Sequence, residues 1–120
     1  MKNLVSSILL AVALVMAGTK AIQAQTKDSL RINVEAIRAL DTDVYTVKFS
    51  RGKLAEVLII GDGKADLDLY IYDEQGYRVA EDESYEVDCY VAFVPKRSGT
   101  FTIKVVNQSR VASGYLIAAQ

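Results

Sequence analysis

The 120-residue chain contains no histidine, one cysteine (Cys89) and one proline (Pro95). Without histidine, the usual general base and the commonest zinc ligand are both missing. A lone cysteine cannot close an internal disulfide, so the fold must hold by core packing. Neither a Gly-X-Ser-X-Gly elbow nor a phosphate-binding loop occurs, and Cys89 has no histidine to activate it. Paired carboxylates alone can in principle cleave glycosides, but a chain of this size offers little room for a deep cleft. The reading is therefore non-enzymatic. Charge of one sign is lacking too, with 14 basic against 15 acidic residues. That balance gives no reason to expect a nucleic-acid or anionic-membrane partner. Internal repeats, low-complexity segments and linkers are all absent, which leaves one domain.

A hydrophobic run long enough to span a bilayer is also missing. Met1-Lys2-Asn3 supplies a positive charge, and Leu4 to Ala17 is apolar except for Ser6 and Ser7. This run of 14 residues falls short of the roughly 20 that a membrane helix needs. Gly18 breaks it, and Ile22-Gln23-Ala24 offers a small residue before a cut. The pattern is that of a secretory signal peptide, residues 1–24, which places the protein in the periplasm or outside the cell. No Cys stands at the cut to carry a lipid anchor. The remaining 96 residues hold 12 basic and 15 acidic side chains. From Asp62 to Asp88, ten acids face only Lys64 and Arg78.

What is present is alternation. In Asp66-Leu67-Asp68-Leu69-Tyr70-Ile71-Tyr72-Asp73, the period of two puts Leu67, Leu69 and Ile71 on one strand face and acids and tyrosines on the other. Tyr45, Val47 and Phe49 share a face in an earlier strand, and Phe101, Ile103 and Val105 do so in a later one. Leu54 to Ile60 ends in four continuous apolar residues, as a centrally buried strand would. Cys89 is in phase with Val87, Val91 and Phe93, so it reads as a small buried hydrophobe. Asp28 to Leu40 fits a short helix, through Leu30, Val34, Ile37 and Leu40, or an edge strand, through Leu30, Ile32 and Val34. Seven or eight short strands with turn signals between them predict an antiparallel β-sandwich over 41–120, preceded by a lead segment at 25–40.

Two kinds of site residue stand out. Asp66, Asp68, Asp73, Asp82 and Asp88 are candidate calcium ligands, because calcium takes about six to eight oxygens and relieves repulsion among carboxylates. The stretch from Asp62 does not match an EF-hand loop, since Lys64 stands where an acid is needed. The plainer alternative is acids that are solvated or cap turns. Tyr70, Tyr72 and Tyr90 occupy the outward phase of their strands and are candidates for stacking on a glycan or binding a peptide. Tyr77 and Tyr85 lie in or near loops. The alternative role for the strand tyrosines is to cover the sheet.

The order of these features resembles the bacterial pre-peptidase C-terminal domain family. The matching set runs through Gly61-Asp62-Gly63, Asp66-Leu67-Asp68-Leu69-Tyr70, Asp73, Gly76, Phe93-Val94-Pro95, Gly99-Thr100-Phe101 and Ile103-Lys104-Val105-Val106-Asn107. The resemblance implies a secreted, jelly-roll-like sandwich of the kind appended to exported hydrolases. It further implies binding of a glycan, matrix, peptide or exported protein, with calcium in some relatives. The alternative reading is a calcium-stabilised structural protein of the cell envelope.

Overall fold

A computed structural model describes residues 30–120; the expected signal peptide, 1–24, lies outside the described residues. Eight strands follow in order: β1 (Arg31–Ile37), β2 (Thr42–Phe49), β3 (Ala55–Gly61), β4 (Leu67–Tyr72), β5 (Arg78–Asp82), β6 (Asp88–Phe93), β7 (Gly99–Asn107) and β8 (Ser113–Ala119). All pairings are antiparallel, in two four-stranded sheets ordered β1-β8-β3-β6 and β2-β7-β4-β5. Only β4 and β5 form a hairpin within one sheet, and every other connection crosses between sheets. This is jelly-roll topology. Among the described residues there is no helix long and apolar enough to cross a membrane.

The alternating residues meet in one core between the sheets. Leu67, Leu69 and Ile71 face Val57, Ile59 and Ile117 across it, and Ile103 and Val105 fill the layer beside them. Burying each such side chain contributes about 1.5–3 kcal/mol. Phe49, Phe93 and Phe101 close one end of the core, with ring centroids 5.5–5.7 Å apart. Cys89 is buried, and its thiol donates to the Leu67 carbonyl at 2.9 Å. The four-residue apolar run of β3 is explained by a second cluster: Leu58 packs with Ile32, Leu116 and Ala118 on the outer face of the first sheet. The stretch 28–40, ambiguous by periodicity, forms the edge strand β1. Its backbone pairs with β8 from Arg31↔Ala119 to Ile37↔Ser113.

Candidate functional site

The strand register sends the connections to two ends. Loops 38–41, 62–66, 83–87 and 108–112 gather at one, and 50–54, 73–77 and 94–98 at the other. The four-loop end carries Asp41, Asp62, Asp66, Glu83 and Glu86 against Arg38, Lys64 and Arg110. The three-loop end carries Arg51, Lys53, Lys96 and Arg97 against Asp73 and Glu74. The sandwich thus has an acidic and a basic end.

At the acidic end, Asp66 and Asp68 lie together before and within β4. Asp68 is only 6% exposed. Its Oδ2 accepts from Gln108 Nε2 at 3.0 Å and, more weakly, from the Tyr70 hydroxyl at 3.4 Å. That hydroxyl gives its stronger bond to Glu83 Oε2, at 2.8 Å. Asp66 Oδ1 and Asp68 Oδ1 are both buried without a hydrogen-bond partner. Burial pushes the Asp68 carboxyl above its ordinary range, and the charges of Asp66 and Glu83 add to this against the Gln108 bond.

The other acids are engaged elsewhere. Asp73 Oδ1 accepts the Gln75 and Tyr77 amides, closing the 73–77 turn. Asp82 uses both oxygens, Oδ1 on the Ser84 amide at 3.0 Å and Oδ2 on the Tyr90 amide at 2.8 Å. Partial burial raises its pKa, but the Tyr90 and Ser84 bonds outweigh that and lower it. Asp88 is exposed at the start of β6, in the opposite sheet from Asp66 and Asp68. The five acids therefore do not converge as a calcium cage. Among the described residues no group of three acidic, cysteine or histidine side chains is arranged to hold a metal. What remains for a cation is the Asp66–Asp68 pair with its two orphaned oxygens.

The three tyrosines also separate. Tyr70 and Tyr72 stand on the outer face of the second sheet, while Tyr90 stands on that of the first. Cations lie over two of the rings, Arg78 at 5.3 Å from the Tyr70 centroid and Lys104 at 5.0 Å from that of Tyr72. The Tyr90 hydroxyl donates to Glu56 at 2.6 Å, and its ring packs against the second cluster. Tyr70, Tyr72 and Tyr90 thus form no shared stacking platform.

Three features lie outside the sequence-based candidates. Tyr85, at the middle of the 83–87 loop, is 95% exposed beside Glu83 and Glu86. Inside the sandwich, the Tyr115 hydroxyl donates to Asp43 Oδ2 at 2.7 Å and also bonds the Tyr45 hydroxyl. Burial pushes the Tyr45 phenol up to about 12 and raises Tyr115 further, and the nearby Glu35 charge adds to both. The third is a cleft of about 570 Å³ at the basic end, between the 73–79 and 93–101 stretches. Asp43 gave a sequence signal, since it shares the phase of Tyr45, Val47 and Phe49. The cleft gave none, because its walls are some twenty residues apart in the chain.

No family model and no curated protein matches the sequence. Solved structures do match the fold. The pre-peptidase C-terminal domain of a Bacillus anthracis collagenase superposes with a TM-score of 0.67 at 13% identity, over 88% of this chain and 96% of that one. The chain has the fold of a pre-peptidase C-terminal domain. PliG of Aeromonas hydrophila, a periplasmic inhibitor of g-type lysozyme, gives 0.62 at 14% identity over 88% and 98% of the two chains. Its Salmonella Typhimurium counterpart gives 0.56 at 16%, over 85% and 98%. At these identities the likeness is one of fold.

Proposed function

We propose that this chain is an exported, non-catalytic binding module whose acidic end docks a protein partner. The observation that carries the reading is Tyr85, held in water at 95% exposure between Glu83 and Glu86. A tyrosine is among the side chains most enriched at protein interfaces, and an exposed one gains from burial against a partner. Exposed Val87 in the same loop extends the apolar contact, and the surrounding carboxylates steer a basic surface toward it. Export is supported by the charged, apolar and small-residue segments of residues 1–24. Glycan stacking has less support, because the strand tyrosines are split between two sheets and two of them, Tyr70 and Tyr72, carry cations over their rings.

The test is a photo-crosslinking side chain placed at position 85 in the exported protein, with the same probe at Lys48 on the outer face of the second sheet as control. A protein adduct formed at 85 and absent from 48 supports the reading; equal or absent adducts at both sink it. The fold likeness to PliG makes g-type lysozyme the first partner to try in a purified system. Binding there should weaken with salt and fall in Tyr85→Ala.

A second reading, a calcium-stabilised structural protein of the envelope, is favoured by the orphaned oxygens of Asp66 and Asp68. Calcium at about a hundred times its dissociation constant would stabilise the fold by about 2.7 kcal/mol. Melts in millimolar calcium and in EDTA should then differ by on the order of 10 °C, with the gap lost in Asp66→Asn/Asp68→Asn. Superimposable melts retire this reading.

A further inference from the structure

We propose that the cleft at the basic end binds an acidic peptide segment bearing a bulky apolar side chain. This site is separate from the acidic-end surface. It lies at the far end of six-residue β6, about 20 Å away at about 3.3 Å per residue.

The cleft, at about 570 Å³, falls within the roughly 300–1,000 Å³ typical of ligand pockets. Its floor is Phe93 and Phe101, fixed in the aromatic trio with Phe49. Tyr77 and Val94 line it while remaining 71% and 56% exposed, so apolar surface on its walls awaits cover. The floor offers rings and aliphatic carbons, which suit a hydrophobic side chain better than a sugar's hydroxyls.

Charge then selects the ligand. Three cations against two acids leave the cleft net positive, and each acid turns an oxygen to main-chain amides. Asp73 Oδ1 holds the Gln75 and Tyr77 amides, and Glu74 Oε1 accepts the Thr100 amide at 3.0 Å. Arg78 turns to Glu81, with Nε 3.6 Å from its carboxylate. Lys96 and Arg97 are exposed and have no ion-pair partner among the described residues. Two cations beside an apolar floor complement a carboxylate next to a large hydrophobic residue.

The walls are also held in place before any ligand arrives. Glu74 straps the 73–77 turn to the start of β7, across Gly99. A Cβ at position 99 would lie 2.9 Å from Glu74 Oε2, so a larger residue there would push the Glu74 carboxylate aside. On the other side, the Pro95 carbonyl accepts the Gly52 amide at 3.0 Å, and Ser98 Oγ accepts the Arg51 amide at 2.8 Å. Pinned walls lower the ordering cost of binding.

The test is titration of the ¹⁵N-labelled protein with acetyl-Glu-Leu-Phe-Asp-amide, its neutral counterpart acetyl-Gln-Leu-Phe-Asn-amide, and acetyl-Lys-Leu-Phe-Lys-amide. The acidic peptide should shift amides in 73–79 and 93–101 and bind about tenfold tighter than the neutral one, with the basic peptide weakest. Lys96→Glu/Arg97→Glu should remove that preference, while Glu83→Gln/Glu86→Gln should leave it unchanged. Equal affinity for all three peptides, shifts mapping outside the cleft, or a preference that survives Lys96→Glu/Arg97→Glu would overturn the proposal. So would concentration-dependent oligomers, seen by sedimentation, that either double variant dissolves: the occupant would then be the acidic loop of a second copy. Loss of crosslinking at Tyr85 with these peptide results intact would count against the acidic-end reading alone.

Discussion

Replacing Tyr115 by Phe removes one oxygen from the interior and leaves the ring in place. That oxygen has a single proton, which goes to Asp43 Oδ2, so the Tyr45 hydroxyl must be the donor in the Tyr115–Tyr45 bond. Asp43, Tyr45 and Tyr115 are all buried. The variant therefore loses a hydrogen bond to a buried carboxylate, worth about 1.5–3 kcal/mol, and strands the Tyr45 donor as well. For a domain of this size each kcal/mol moves the midpoint by about 4–8 °C, so the melt should fall by on the order of 10 °C. Tyr45→Phe loses one neutral bond, about 0.5–1.5 kcal/mol, and should cost less. Near-UV circular dichroism melts of both variants at pH 7 give the ordering. A drop below about 2 °C in Tyr115→Phe, or a larger loss in Tyr45→Phe, would refute the donor assignment. The sign with pH follows from the same burial. Tyr45 is raised from its ordinary value near 10 to about 12, so its contribution is complete below pH 10 and is lost as pH rises toward 12. Alkaline unfolding should be shallower in Tyr45→Phe.

Asp68 and Asp62 should respond to pH in opposite senses. The folded Asp68 carboxyl is raised, so ionising it costs stability as pH climbs through and above the ordinary carboxylate range. Asp68→Asn should gain stability over wild type at pH 7 and lose that advantage near pH 4, in urea titrations at the two values. Asp62 is pushed down to about 2 by the Gly114 and Lys64 amides and the Ser113 hydroxyl, with which it ties the 62–66 loop to β8. Its contribution is present above about pH 4 and fades toward pH 2, so Asp62→Asn should flatten the acid limb of the stability curve; an unchanged limb would contradict this. Cys89, buried and pushed up to about 12, should react with a thiol reagent at pH 8 only as fast as the protein opens, and at once in denaturant.

Period-two patterning made β2, β4 and β7 legible because each buries one full face. It placed Tyr45, Val47 and Phe49, then Leu67, Leu69 and Ile71, and finally Phe101, Ile103 and Val105 in the core the structure shows. The same patterning says which side chains point outward, but not from which sheet. Tyr70 and Tyr90 share a phase yet face opposite directions, since that depends on the strand order. The β1 stretch was open because its apolar residues satisfy both periods, and only long-range pairing with β8 decides between them. Among the acids, turn chemistry accounts for Asp73 and Asp82, each of which caps a main-chain amide two residues on. The two ends of opposite charge needed the fold itself, because jelly-roll crossings bring together loops that are distant in the chain.

Arg31 and Ala119 sit side by side as register partners on adjacent strands. The chain thus enters and leaves the sandwich at one point, next to the basic end and far from Tyr85. A host protein could carry this domain as a loop insertion without prying its own structure apart, and a permutant joining the two ends through a short linker should still fold. Tethered there, the acidic loops would face away from whatever they are attached to.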